Sequence, residues 1–130
     1  MTRQNISSGT PWEDQVGYSR AVRAGDRIFV TGTIGADAQG TILAPGDPYR
    51  QAMDALDKIE QAVTDAGGSL DDIVRTRIYI TDMDHADEVG RAHGERLGRV
   101  KPCCTMVVVS CLFADALVEI EADAVLVPGT

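Results

Sequence analysis

The chain has 130 residues, 44% of them apolar and 25% charged, an ordinary balance for one globular domain that excludes a disordered chain. Its net charge of −8 repels phosphate backbones and anionic membranes, and its twelve Lys and Arg form no basic run, so neither nucleic acid nor membrane is an expected partner. Three cysteines, two of them adjacent, cannot build a disulfide framework, and no run reaches about 18 apolar residues, so a cytoplasmic protein is expected.

In chain order, residues 1–16 read as a polar N-terminal arm carrying Pro11 and an amphipathic Trp12, followed by a single domain over 17–130. Strand-like runs at Tyr18 to Ala24 and Arg27 to Ile34 flank the turn dipeptide Gly25-Asp26. The second run, "RIFVTGTI", has Gly32 in its interior, which predicts a bulge or a close approach of a ligand to the backbone. Gly and Pro make 35–46 a loop.

Asp47 caps a helix with Pro48 at its first position, and Tyr49, Ala52, Met53, Leu56, Ile59, Val63 and Ala66 form one apolar stripe that ends at Gly67-Gly68. A third strand, about Asp72 to Thr81, should place Val74, Thr76, Ile78 and Ile80 on one face and Ile73, Arg75, Arg77 and Tyr79 on the other. A second helix near Asp84 to Leu97 carries Ala86, Val89, His93 and Leu97 on one side. Strands at about Cys103–Ser110 and Leu117–Val127 complete an α+β order ββαβαββ, with both helices on one face of the sheet. In the last strand Val118, Ile120, Ala122, Ala124 and Leu126 oppose Glu119, Glu121 and Asp123. The face left uncovered by helices is partly apolar, so a symmetric homo-oligomer that buries it is expected.

Two features carry candidate chemistry. Cys103 and Cys104 follow Pro102 at a strand entry with Lys101 beside them; they are either reactive, pocket-facing thiols or small apolar packing residues. Cys111 and the two histidines lack zinc-ligand spacing, so no metal is expected. Glu119 is either a general base tuned by burial or a partner of Arg75 or Arg77 across the sheet, and Glu121 and Asp123 are the better candidates for such pairing. His93 reads as a packed helix residue, and Tyr18 and Trp12 either line a cleft or anchor the arm.

The segments "YSRAV", "IFVTGTIG", "AMDALDKIEQAVTDAGGSLDDIVRTRIYITDM" and "VEIEADAV" together resemble the RidA (YjgF/YER057c/UK114) family over essentially residues 17–127. The resemblance implies a chorismate-mutase-like α+β fold and a homotrimer with ligand clefts between subunits. In the deaminase branch such clefts hydrolyse imines and enamines to 2-ketoacids and ammonia without metal or cofactor. Glu119 matches the family's water-activating carboxylate, and Tyr18 its aromatic cleft wall. Gly32, Trp12 and Thr105 join them as expected ligand-binding positions.

The family's carboxylate-binding arginine stands in a P-x-R-[ST] pattern, and here Pro102-Cys103-Cys104-Thr105 puts Cys104 in its place. The resemblance thus implies a hydrolase of altered substrate, with a non-catalytic trimer that binds a small metabolite, or a thiol-based stress protein, as the alternatives. The family's old endoribonuclease label finds no support in the acidic charge.

Overall fold

The structure, a computed structural model, describes residues 2–127. Six strands form one sheet: β1 (Arg3–Ile6), β2 (Ala21–Ala24), β3 (Arg27–Thr33), β4 (Ile73–Ile80), β5 (Cys103–Val108) and β6 (Val118–Val125). Their spatial order is β1-β2-β3-β6-β4-β5, antiparallel throughout except for the parallel pair β4–β5. Helices α1 (Pro48–Asp65) and α2 (Ala86–Leu97) cover one face. The α+β class and the single helical layer agree with the expectation.

The sheet has one strand more than the sequence pattern suggests. Arg3–Ile6 pairs in register with Ala21–Ala24, so part of the expected arm is the edge of the sheet. Only Ile6 of this strand is buried. Backbone hydrogen bonds, rather than an alternating apolar pattern, hold the other three residues in place.

The core lies between the sheet and the helices. From α1 and its C-cap residue Ala66 it takes Ala52, Leu56, Ile59, Val63 and Ala66 of the expected stripe, with Tyr49 and Met53 at its margin. The Asp47 carboxylate accepts from Arg50 N at the helix start, the capping geometry that Asp-Pro predicts. Strand β6 alternates as expected: Val118, Ile120, Ala122 and Ala124 are buried, while Glu119, Glu121 and Asp123 face the open side.

One face assignment is corrected. In β4, Thr76, Ile78 and Ile80 point to the core, but Ile73 is buried and Val74 exposed, the reverse of simple alternation. A register shift against β6 between Ile73 and Arg75 inserts one extra residue and flips the strand entry. His93 of α2 is held by a 2.8 Å hydrogen bond between its Nε2 and Thr76 Oγ1, and burial pushes its pKa down, as suits a packed neutral imidazole. Among the described residues no helix is long and apolar enough to cross a membrane.

Candidate functional site

Glu119 sits near the start of β6, opposite Tyr79 of β4, and β3 flanks it on the other side. The β3–β6 register shifts between Val30 and Thr33, so the bulge expected at Gly32 is present. It brings the Gly32 backbone against Glu119. A Cβ at Gly32 would overlap Glu119 Oε2 and lie 3.1 Å from its carboxyl carbon. The group that comes close to the Gly32 backbone in the structure is this carboxylate of the chain itself.

Burial pushes the pKa of Glu119 up, the negative charge of Glu121 adds to the rise, and Arg20 opposes it. Glu121 and Asp123 have structural partners instead. Arg77 reaches them at 3.6 and 3.3 Å, and Tyr79 donates to Glu121 Oε1 at 2.9 Å. The acids of β6 therefore divide as expected, with Glu119 the one left without an ion pair among the described residues.

Glu119 opens into a cavity of about 570 Å³ whose walls include Tyr18, Trp12, Gly32, Arg20 and Lys58. Trp12 is seated on Gly40, whose φ of +83° and lack of a side chain admit the indole: a Cβ there would be 2.7 Å from the ring. Phe113 stands at the rim, 88% exposed, on a turn in which Ala114 and Asp115 take φ of 57° and 56°. Four of the expected residues, Glu119, Gly32, Tyr18 and Trp12, thus meet in one place.

Cys104 and Thr105 do not join them within one chain. They lie on β5, opposite Thr76 and Arg77 of β4, and β4 separates β5 from β6. All three cysteines are exposed in the single chain, so of the two alternatives for Cys103 and Cys104, packing in the chain's own core is not the one seen. Lys101, with φ of 53° at the strand entry, is exposed and contributes nothing to the cavity wall.

Two cations in the wall were not anticipated. Arg20 is buried, 9% exposed, and its Nη2 donates to Gly32 O at 3.0 Å. Lys58 Nζ donates to the carbonyls of Ile34 and Ala36, each at 3.2 Å. Burial lowers the pKa of both groups. A signal for Lys58 was present: with Gln51, Ala55 and Ala62, all buried, it falls on one line of α1 at helical spacing. Arg20 precedes a short strand and carries no comparable pattern. Among the described residues no three His, Cys, Asp or Glu side chains gather as a metal-ligating group.

An α+β sheet with a carboxylate, a buried arginine and a partly buried lysine around one cavity is the architecture of a small-molecule-handling protein. The sequence profile of the family described as Endoribonuclease L-PSP matches residues 12–126, and the chain belongs to that family, the YjgF/YER057c/UK114 proteins. An uncharacterised protein of Streptomyces coelicolor is 37% identical over 93% of this chain and 90% of its own length. The crystal structure of Rv2704 of Mycobacterium tuberculosis, a member of the YjgF/YER057c/UK114 family, superposes with a TM-score of 0.87 at 45% identity, covering 96% of this chain and all of that one. TdcF of E. coli, solved with bound serine, is 27% identical with a TM-score of 0.79, over 95% of this chain and 94% of its own.

Proposed function

We propose that this protein is a small-molecule hydrolase acting on a reactive imine, enamine or related metabolite, with Glu119 as the group that activates water. The observation that carries the reading is the state of Glu119: half-buried, held against a glycine, without an ion pair among the described residues, and raised in pKa so that its carboxylate is a better base than an exposed one. The family supports a small-molecule role, and bound serine in the TdcF relative supports a ligand of amino-acid size.

The chemistry is a hydration followed by an elimination. Glu119 takes a proton from water as the oxygen attacks the C=N carbon, and the imine nitrogen acquires a proton. The resulting carbinolamine then loses ammonia, its hydroxyl proton leaving as the C=O bond forms. One water is consumed for each ammonia released, with no change of oxidation state. No metal or cofactor takes part in this proposal.

The proposal includes assembly as a homotrimer through the open face of the sheet, where Phe29, Val74 and Val107 are exposed in the single chain. Cys104 and Thr105 of a neighbouring copy would then complete the cleft mouth, altering the substrate relative to proteins with an arginine there.

The test is ammonia release from freshly generated 2-iminopropionate by wild type, Glu119→Ala and Cys104→Arg. Acceleration by wild type that disappears in Glu119→Ala supports the proposal. Activity confined to Cys104→Arg shows a functional water-activating group and a natural substrate that lacks this carboxylate. If wild type and Cys104→Arg are both inactive, imine hydrolysis fails and a trimer that only binds a metabolite takes its place.

A further inference from the structure

Arg20 is the most under-satisfied polar group of the cavity. A guanidinium has five N–H donors in a rigid fork. Here Nη2 donates to the Gly32 carbonyl, while Nε is buried and has no hydrogen-bond partner among the described residues. Neither Arg20 nor Lys58 is in an ion pair among those residues. A buried charge with unfilled donors is costly unless something compensates it.

The two cations are not equivalent. Lys58 directs two of its three donors to the carbonyls of Ile34 and Ala36, and so fastens the loop that leads to α1. Arg20 reaches one carbonyl and leaves the rest of its fork unused. It also lines the same cavity as Glu119, which it influences electrostatically without meeting it in an ion pair.

We infer that Arg20 is the anchor for the anionic group of the ligand, and that this group is a monocarboxylate. The charged residues of the wall are Arg20, Lys58, Asp37 and Glu119, two of each sign. A single negative charge is matched by the free fork of Arg20, which suits the two oxygens of a carboxylate. A second negative charge, as on a phosphate, meets Asp37 and Glu119 instead. The assignment refines the hydrolase reading by giving its substrate an acid group at one end and the C=N carbon beside Glu119 at the other. It does not depend on turnover.

Trp12 is the one tryptophan of the chain and lies in the cavity wall, so its fluorescence reports occupancy. Titrating the wild-type protein with pyruvate, a product-like carboxylate that releases no ammonia, should give a saturable change. Pyruvamide, its uncharged analogue, should need about ten- to hundredfold higher concentration, the expected consequence of losing a hydrogen bond to a charged group. Arg20→Gln should weaken pyruvate by a similar factor and Arg20→Lys by less. Should Arg20→Gln not fold, the Arg20 Nε–H resonance of the wild-type protein, assigned with Arg20→Lys, must shift on pyruvate addition.

Unchanged pyruvate affinity in Arg20→Gln, an unmoved Nε–H resonance, or inorganic phosphate binding as tightly as pyruvate overturns the assignment. The two readings fail separately. Arg20-dependent pyruvate binding without ammonia release removes the hydrolase and keeps the anchor. Ammonia release with pyruvate affinity insensitive to Arg20 does the reverse.

Discussion

The carboxylate of Glu119 lies over the bare Cα of Gly32, in a space that a methyl group would fill. The bulge in β3 makes that approach, and Arg20 braces it by donating to the Gly32 carbonyl. The proposed general base and the proposed anion anchor therefore share one backbone element.

Gly32→Ala should displace Glu119 without breaking the fold. The overlapping atoms belong to the far end of a side chain, so the carboxylate can swing aside at about 0.5–1.5 kcal/mol of rotamer strain. A drop in melting temperature of a few degrees is expected, with a loss in the hydrolysis rate of up to about a hundredfold from the misplaced base. Full activity in a stably folded Gly32→Ala would remove the positional role of the glycine.

The raised pKa of Glu119 fixes the sign of two pH effects. A carboxyl that holds its proton more tightly when folded makes the chain lose stability as pH rises from the ordinary glutamate range through its raised value. Glu119→Gln should thus be more stable than wild type at neutral pH and equal to it in acid, as read from melting temperatures across pH. Hydrolysis should rise over the same interval, as the base ionises. Since the charge of Glu121 contributes to the rise, Glu121→Gln should move the acid limb of the rate profile to lower pH. A limb that stays in place in both variants would mean that another group titrates.

Strand β5 is an edge strand exposed along most of its length, and it carries Cys103 and Cys104. If copies of the chain cover the open face, Cys103, which pairs with Arg75 on that face, should react slowly with Ellman's reagent in the native protein. Phe29→Glu places a charge on that face and should give a species one third of the native mass in sedimentation, with all three thiols reacting rapidly. A native protein that sediments at the mass of one chain would end the trimer proposal.

The parts of the fold that were legible in the sequence are those where burial is periodic. The α1 stripe and the alternation of β6 are strong because one face meets the core and the other does not. Strand β1 was illegible because three of its four residues are exposed and its pairing is made by the backbone. The start of β4 was misread because a bulge, which has no side-chain signature in "DDIVRT", reverses the alternation. At the site, the acid, the glycine and the two aromatics were readable as residue types in place. Arg20 was not, since a charged residue beside a strand reads as solvated until the structure buries it.

Glu119 rides on a strand clamped between two neighbours, whereas much of the cavity wall comes from the segments bearing Ser8, Thr10, Trp12, Ala36, Asp37, Gly40, Phe113 and Ala114, outside the sheet. Such a layout divides inheritance from innovation. Loop substitutions, and even insertions, can reshape what enters while the Glu119 carboxylate keeps its coordinates. A lineage built on this scaffold can therefore change diet without reinventing its chemistry, and a designer who wishes to retarget it should leave the sheet alone and rewrite the rim.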